Sequence, residues 1–208
     1  MSVPDLDSLA GSRYGNLQKH LNPNPVQRWL LGRFHWRILE LVKSIGAQRI
    51  LDVGCGEGFT MRELGQAGVQ VTMVGVDFSL PALAWNQAHG MARSPLGVAD
   101  VHHLPFPDNS FDLVLCLEVL EHVPDSAAGL RELLRVSRDY VLVSVPHEPF
   151  FRGANLLRGK HLRALGNDPE HLHNYSGRAF HRLVAAQAQV IWRGYSFPWQ
   201  IALVSKKG

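Results

Sequence analysis

Apolar positions along the first 145 residues alternate between helical and strand spacing. From residue 26 to residue 45, apolar side chains, Trp29 among them, recur every three or four positions, as on the buried face of an amphipathic helix. Gly46 follows at a point where helices commonly end, and residues 49–53 form a short apolar run that a glycine stops, which is typical of a buried strand. The pattern therefore predicts a helix followed by a strand.

The same alternation continues up to residue 145. It predicts helices over residues 59–67, 79–89 and 126–137, and strands over residues 70–76, 96–99, 111–117 and 140–145. Ser79 is the expected N-cap of the second of these helices, because its hydroxyl can accept a hydrogen bond from the first turn. Strands that alternate with helices indicate a parallel sheet with helices on both faces, since each parallel strand needs a crossover connection.

The regular spacing of apolar residues is lost after residue 146. Residues 146–175 show no strong periodicity and mix phenylalanine and leucine with basic side chains, glycine and proline; an insertion of this length is usually functional. A helix is then predicted over residues 176–189, followed by strands over residues 190–197 and 200–205. These two strands are too close for a crossover helix, so we expect them to be antiparallel.

Length and composition are those of one globular domain: 208 residues, of which 46% are hydrophobic and 19% charged. Residues 1–24 lack the basic start, apolar stretch and cleavage site of a signal peptide, and no apolar run approaches the ~20 residues that span a bilayer. We therefore expect a cytoplasmic protein, either a monomer or a homodimer. Cys55 and Cys116 form no C-x-x-C pair and are expected to be free thiols.

The net charge of +3 is unevenly distributed. Residues 1–145 carry 12 Lys and Arg against 15 Asp and Glu, a net charge of −3, whereas residues 146–208 carry 9 against 3, a net charge of +6. The basic part is either a solvated face or a surface for an anionic substrate, a lipid headgroup or nucleic acid. Nucleic acid is the weaker of these alternatives, because no dense Lys/Arg run with interleaved aromatic residues is present.

A glycine-rich turn follows the first predicted strand. Gly54, Gly56 and Gly58 occupy alternate positions after Asp52, at the carboxyl end of that strand, where parallel α/β sheets bind ligands. Glycine lets the backbone turn sharply and approach a ligand without an intervening Cβ atom. The spacing G-x-G-x-G differs from the G-x-G-x-x-G of dinucleotide-binding turns.

Acidic residues stand at the carboxyl ends of four successive predicted strands: Asp52, Asp77, Asp100 and Glu118. Asp77 can accept hydrogen bonds from both hydroxyls of a ribose, and the alternative role of helix N-cap is better served by Ser79. Asp100 can accept from an exocyclic adenine amine. Four carboxylates at one sheet edge are unfavourable for stability, so they indicate a ligand site.

A family resemblance is carried by four stretches, in this order: I-L-D-V-G-C-G-E-G, V-G-V-D-F-S, A-D-V-H-H-L-P-F-P-D-N-S-F-D-L-V and E-V-L-E-H-V-P-D. They resemble the motifs of small class I S-adenosylmethionine (SAM)-dependent methyltransferases, especially the group that includes quinone-biosynthesis methyltransferases. The resemblance covers residues 50–145. It implies a Rossmann-like, doubly wound α/β sheet of seven strands in the order 3-2-1-4-5-7-6, with strand 7 antiparallel and helices on both faces.

The resemblance also implies SAM as cofactor, S-adenosylhomocysteine (SAH) as product, and a set of binding residues. The glycine turn with Asp52 would lie along the methionine part, Asp77 on the ribose, Phe78 against the adenine, and Asp100 with Val101 at the adenine edge. Leu117 and Glu118 would close the methionyl end. The cofactor-binding candidates are therefore Asp52, Gly54, Cys55, Gly56, Gly58, Asp77, Phe78, Asp100, Val101, Leu117 and Glu118.

Methyl transfer is a displacement on an already activated carbon, so the protein mainly aligns the reactants and excludes water. A base is needed only if the acceptor must lose a proton. Glu121, His122 and His147 are the candidates, because they follow strands whose ends adjoin the methyl donor. A structural role is open for each. His171 and His173 either fold over this site or lie on the surface.

The sequence E-x-x-E-H, formed by Glu118, Glu121 and His122, resembles an acidic metal-binding patch of some catechol-type quinone O-methyltransferases, whose oxygen ligands suit Mg²⁺. The motif L-E-H-V also occurs in relatives without metal, and we predict no metal. The insertion at residues 146–175 is expected to be a mobile cover that supplies the acceptor pocket, or else a solvated pair of crossover helices.

The expected protein is thus one domain, residues 1–208, with an N-terminal helical segment at 1–46. It would move a methyl group from SAM to an O, N or C atom of a small-molecule or lipid-like acceptor. Two alternatives are a SAM-binding domain without catalysis, acting as a partner or scaffold, and an NAD-dependent oxidoreductase. Against the latter, Glu57 at the helix start would repel a pyrophosphate.

Overall fold

The computed structural model describes residues 15–148, 150, 153 and 171–206. The helices are α1 (Gly15–Leu21), α2 (Pro25–Ile45), α3 (Phe59–Gln66), α4 (Leu80–Ala88), α5 (Ser126–Val136) and α6 (Gly177–Gln187). The strands are β1 (Arg49–Val53), β2 (Thr72–Asp77), β3 (Leu96–Val98), β4 (Phe111–Leu117), β5 (Ser137–Pro146), β6 (Ala188–Ser196) and β7 (Trp199–Lys206). Most of the insertion predicted at residues 146–175 lies outside the described residues.

The described strands form one seven-stranded sheet in the order β3-β2-β1-β4-β5-β7-β6. Neighbouring strands from β3 to β5 are parallel, and β7 pairs antiparallel with both β5 and β6. The expected order and the antiparallel seventh strand are therefore confirmed. Because β1, β2, β4 and β5 run in one direction, the residues that follow them lie at one edge of the sheet.

The core is divided between the two faces of the sheet, as in doubly wound folds. On one face, α2, α3 and α4 pack on alternate strand residues such as Ile50 and Leu115. On the other face, α5 and α6 pack on residues such as Leu51 and Val114, with Phe180 fully buried. Both faces are covered by helices, which explains why β1 and β4 are mostly apolar on both faces, with Asp52 and Asp112 as the buried acidic exceptions.

Helix ends follow local chemistry. The Asn24 side chain accepts from the backbone N–H groups of Val26 and Gln27 at the start of α2, and Gly46 ends this helix in the left-handed conformation. Ser79 caps α4 by accepting from Ala82. Cys55 and Cys116 are buried and free, as predicted. None of the helices in the described ranges is long and apolar enough to cross a membrane.

Two features of the helices differ from the sequence prediction. The buried stripe of α2 passes through Leu31 and Phe34, whereas Trp29 is 59% exposed. Apolar residues stand on both sides of position 30, and the packing against the sheet decides which of them is buried. The short helix α1 lies within the segment 1–46 that was expected to be helical, but its bounds were not predicted, because seven residues are too few for an apolar period. Its Leu17 is fully buried.

Candidate functional site

The carboxyl edge of the sheet collects the acidic residues singled out in the sequence. Asp52 lies within β1 between Gly75 of β2 and Leu115 of β4, and Asp77 is the last residue of β2. Glu118 follows β4, where its carboxylate accepts a hydrogen bond from the Ser144 hydroxyl of β5 at 3.0 Å. The parallel register of these strands therefore brings carboxyl groups that are far apart in sequence to one edge.

The three glycines of the turn all have positive φ angles: +76° at Gly54, +49° at Gly56 and +83° at Gly58. Glycine adopts this left-handed region at little cost. A Cβ atom at Gly54 would overlap the Val119 side chain, and one at Gly58 would overlap the Asn86 side chain. Packing within the protein thus explains glycine at these two positions, in addition to the expected approach to a ligand.

Gly56 differs from the other two glycines because a Cβ atom there would overlap no other atom. The nearest atoms to a Cβ at this position would be the Asn16 Nδ2 atom at 3.5 Å and the Asp77 Oδ2 atom at 3.9 Å. Both are ordinary contact distances. The expectation that a glycine keeps room for a ligand therefore applies most directly at Gly56.

Asp77 holds the glycine turn against the end of β2. Its Oδ2 atom accepts from the Gly56 N–H at 2.8 Å, and its Oδ1 atom accepts from the Ser79 N–H at 2.7 Å. Burial raises the pKa of this carboxyl group, while the two hydrogen bonds oppose that shift. Since each carboxylate oxygen can accept two hydrogen bonds, each retains capacity for a hydroxyl of a bound diol.

Asp52 is the most deeply buried of these acids, with 3% of its surface exposed. Burial raises the pKa of Asp52 to about 7, and the negative charge of Asp77 adds to the effect. When the pKa of a buried carboxyl group is raised in this way, a nearby cation lowers it again and favours the ionised form. The position favours a ligand that carries an ammonium group.

Two apolar residues follow these acids, Phe78 after Asp77 and Val101 after Asp100, and they differ in how far their side chains are exposed to solvent. Phe78 is 80% exposed, which is unusual for a large apolar side chain and suits contact with a planar ring. Asp100 accepts from the His102 backbone N–H at 2.9 Å, and this bond holds the pKa of Asp100 below its usual value. The side chain of Val101 is buried in the core beneath α5. Only its backbone is positioned for contact with a ligand.

Cys55 lies in the turn, but its side chain does not face the open space. Its Sγ atom would be 2.9 Å from a Cβ at Gly75, which places the thiol against β2 within the core. Burial raises the pKa of the thiol, so the group stays protonated. Cys55 can therefore contribute its backbone, but not its sulfur, to a site at this edge.

Helix α1 adds residues to this edge that sequence reasoning missed. The Asn16 Nδ2 atom donates to Glu57 at 2.6 Å, and the Lys19 Nζ atom lies 3.8 Å from the Glu118 carboxylate. The His20 ring stacks on Phe59 with a centroid distance of 3.9 Å. These contacts join positions 39 to 99 residues apart, which no local pattern reveals. Burial and the charge of Lys19 lower the pKa of His20 to about 3, so its ring is neutral.

Glu118 has an unusual backbone conformation for a residue with a side chain, with φ at +59°. Such strain is commonly found at functional sites, where the surrounding structure maintains it. Burial raises the pKa of the Glu118 carboxyl, and the charge of Lys19 opposes this shift. Glu118 directly follows Leu117, the half-buried last residue of β4.

A second group of polar residues lies beyond β4. Glu121 is 1% exposed, and its Oε1 atom is 4.0 Å from the His122 Nε2 atom. One donor atom each of Glu121, His122 and His171 lies within 4.8 Å of the others, a grouping that could hold a cation. The third member of this group is thus His171. The patch inferred from the resemblance consisted of Glu118, Glu121 and His122 instead. His173 lies nearby, with its backbone N–H donating to the Glu121 carbonyl at 3.0 Å.

His147 stands apart from this group. It directly follows β5, and its ring lies 4.9 Å from that of Tyr195 and 5.1 Å from that of Phe150. Burial lowers the pKa of His147, so its imidazole is neutral at neutral pH. A neutral imidazole can accept a proton, which keeps His147 a candidate base.

Comparison with known proteins agrees with this geometry. Residues 51–142 match a family model described as a methyltransferase domain. The ubiquinone biosynthesis O-methyltransferase of Bordetella parapertussis is 37% identical over 106 residues, which cover 48% of this chain and 42% of that protein. The demethylmenaquinone methyltransferase of Roseiflexus castenholzii is 35% identical over 133 residues, which cover 59% of this chain and 56% of that protein. The chain thus matches only about half the length of these relatives.

The fold itself recurs in solved structures. Magnesium protoporphyrin IX methyltransferase from Synechocystis PCC 6803, crystallised with bound SAH, superposes with a TM-score of 0.69 over 92% of both chains at 16% identity. The domain match, the strand order and the glycine turn at the end of β1 agree with one another. Residues 51–142 thus match a methyltransferase domain, and the described residues share the fold of SAM-dependent methyltransferases of known structure.

Proposed function

We propose that this chain transfers a methyl group from SAM to an O, N or C atom of a small-molecule or lipid-like acceptor. The observation that carries the proposal is the convergence of Asp52, Asp77 and Gly56 at one sheet edge. This arrangement offers acceptors for a diol and for an ammonium group, with room for a ligand backbone between them. SAM carries both a ribose diol and an ammonium group, so the arrangement suits SAM as a whole.

The roles of the individual residues follow from their surroundings. Asp77 would accept from the ribose hydroxyls, and the exposed Phe78 ring would contact the adenine. The ammonium group of the methionine part would lie near Asp52, whose ionised form it would stabilise. Asp100, with the backbone of Val101, would meet the adenine edge, and Leu117 with Glu118 would close the methionyl end.

When bound, SAM supplies a methyl group that is already activated by its sulfonium, so the protein's task is chiefly to position the acceptor and exclude water. Glu121, His122 and His147 would take a proton from an acceptor that must lose one. His147 is suited to this task because its burial keeps the ring neutral. The relatives that match are named as quinone-type methyltransferases, so hydroxylated aromatic rings are the acceptors to test first.

The proposal is tested by binding and turnover. In calorimetric titrations, SAM and SAH are expected to bind, whereas NAD is not. Radiolabelled SAM is then incubated with a panel of catechols and hydroxyquinones, with Mg²⁺ and with EDTA, and product methylation is measured. SAM binding without any methylated product would favour a non-catalytic SAM-binding domain, and binding of NAD instead of SAM would favour an oxidoreductase.

Asp77→Ala provides the matched variant for the binding test. Loss of charge-assisted hydrogen bonds should weaken SAM binding by about 1–3 kcal/mol. Asp139→Ala, which removes a carboxylate that is 42% exposed near the start of β5, serves as the control and should leave SAM affinity unchanged. Equal affinity of the Asp77 variant and the unaltered protein would remove the ribose role of Asp77.

A further inference from the structure

A cavity of about 680 Å³ lies between α6, the end of β6 and the residue after β5. Its wall includes Arg178 and Arg182 of α6, Arg193 of β6, and His147. We infer that this cavity binds an anionic group, a carboxylate or a phosphate, carried by the methyl acceptor. The inference rests on the proposed methyl transfer and gives a chemical class to its second substrate.

The charges around the cavity favour an anion. Three guanidinium groups line it, together with the neutral imidazole of His147 and the ring of His181, against the single carboxylate of Glu148. Among the described residues, no ion pair involves any of these three arginines. Arginine forms paired hydrogen bonds with carboxylates and phosphates, which matches its planar group to such a ligand.

The cavity also accounts for part of the charge asymmetry of the sequence. Residues 146–208 carry a net charge of +6, which the cofactor site does not use. Arg178, Arg182 and Arg193 belong to this excess, and the fold brings them together from a helix and an edge strand. The first residues of α6 line the same cavity, and the positive end of the helix dipole adds to the field.

Polar atoms converge at one point of the cavity wall, around Gly177. A Cβ at this glycine would lie 2.9 Å from the Tyr195 Oη atom, 3.4 Å from the His147 Nε2 atom and 3.9 Å from the Gln200 Oε1 atom. The absence of a side chain therefore leaves these groups close together. Glycine here provides space for polar atoms, since no positive φ requires it.

Gln200 gives this point a hydrogen-bonding capacity that the described residues do not use. It is 1% exposed, and its Nε2 atom donates to the carbonyls of Tyr175 at 2.8 Å and Pro146 at 3.2 Å, which fixes the orientation of the amide. Its Oε1 atom has no hydrogen-bond donor among the described residues. A buried acceptor without a donor costs free energy. Gln200 does not itself line the cavity, but its Oε1 atom would lie 3.9 Å from a Cβ at Gly177, which does, so a ligand hydroxyl that reaches this point would remove that cost.

The position of the cavity links it to methyl transfer. His147, one of the candidate bases, lines the wall and directly follows β5, which pairs in parallel with β4 next to Glu118. An anionic group held by the arginines would anchor an acceptor beside that strand end. The acceptor class is then an aromatic or lipid-like hydroxyl compound that also carries a carboxylate or phosphate.

The test uses anionic probes on the full chain. Benzoate and phenyl phosphate, the neutral analogue benzamide, and inorganic phosphate are each titrated at low salt, and binding is followed by NMR shifts of the arginine side chains. Benzoate and phenyl phosphate should bind, and benzamide should not. Arg182→Ala and Arg193→Ala should each weaken the binding of the anions about tenfold or more, because each removes a charged donor.

Arg33→Ala is the matched control, because it removes a guanidinium from the outer face of α2, where that group lies 5.1 Å above the Trp29 ring. It should leave anion binding unchanged. Equal losses in all three variants, equal binding of benzamide and benzoate, or binding of inorganic phosphate alone would each overturn the inference. SAM titrations of the same samples separate this result from the proposed function, which fails if SAM does not bind, whatever the anions do.

Discussion

At the scale of one residue, Asp52 shows how a buried acid of the candidate site lowers the stability of the folded protein. Burial raises the pKa of Asp52 to about 7, whereas an aspartate in an unfolded chain titrates near ~3.9. Because the folded pKa is the higher one, the contribution of Asp52 to stability is fully present below about pH 4 and is lost as the pH rises to about 7. Above that pH, the folded protein must carry a buried negative charge.

Asp52→Asn should therefore stabilise the protein increasingly as the pH rises. The amide mimics the protonated acid, so its gain in melting temperature should be larger at pH 8 than at pH 5. In free energy of unfolding, the gain at the higher pH should be on the order of 2 kcal/mol or more. Thermal unfolding at the two pH values measures the gain. Asp139→Asn is the exposed control and should show no such pH dependence. An equal effect of Asp52→Asn at both pH values would contradict the assignment of a raised pKa.

The glycines of the turn allow a second comparison between single residues. Gly56→Ala adds a Cβ that overlaps no other atom, so only the left-handed φ should cost stability, about 1–2 kcal/mol. The same Cβ should obstruct the ligand and weaken SAM binding tenfold or more. Gly54→Ala should lower the melting temperature further, because its Cβ overlaps Val119. Val119→Ala in that background should restore part of the loss.

These outcomes separate a turn that binds a ligand from one that is only structural. Unchanged SAM affinity of Gly56→Ala would mean that the space in front of Gly56 is not used by the cofactor. If Gly54→Ala melted at the same temperature as Gly56→Ala, the packing of Val119 against the turn would not explain the glycine at position 54.

At the scale of elements, α1 is joined to the glycine turn after β1 by the contact between Asn16 and Glu57. Glu57 is 2% exposed, and burial raises its pKa, while the hydrogen bond from Asn16 opposes that shift. A hydrogen bond to a charged group contributes about 1.5–3 kcal/mol. The contact therefore gives the short helix α1 a fixed position over the turn, although seven residues could not form a stable helix alone.

Asn16→Ala should lower the melting temperature by about 3–12 °C, since each kcal/mol corresponds to about 2–4 °C in a chain of this size. Asn16→Asp should be more damaging at pH 8 than at pH 5, because it sets two carboxylates against each other. Thermal unfolding checks both variants. The same melting temperature for Asn16→Ala and the unaltered protein would show that this contact does not hold α1 in place.

At the scale of the whole molecule, the proposed cofactor should act as a stabiliser. Its site would be built from the turn after β1 and the ends of β2 and β4, so its occupation connects elements that are separated in sequence. SAM at 100 times its dissociation constant should add about 2.7 kcal/mol to the free energy of unfolding. Thermal unfolding with SAM, and with NAD as the matched control, measures this; an equal shift with both nucleotides would contradict specific binding.

Apolar runs that end at glycine were enough, by themselves, to predict where several strands and the glycine turn of this protein lie. Residues 49–53 and 111–117 were predicted as strands with the bounds that the structure shows, because a strand buried on both faces is mostly apolar and stops where the chain turns. The turn was found from Gly54, Gly56 and Gly58 for the same local reason. The order of the strands came from the resemblance of the motifs, which the sheet confirms.

Tertiary structure decided the contacts that no local pattern contains. It placed α1 over the turn, buried Leu31 instead of Trp29, set His171 beside Glu121 and His122, and gathered the arginines of α6 and β6 around one cavity. Each of these depends on which segments meet across the sheet or through a loop. Periodicity encodes only what one segment buries, whereas the identity of its partner is fixed when the strands are ordered and the helices pack on them.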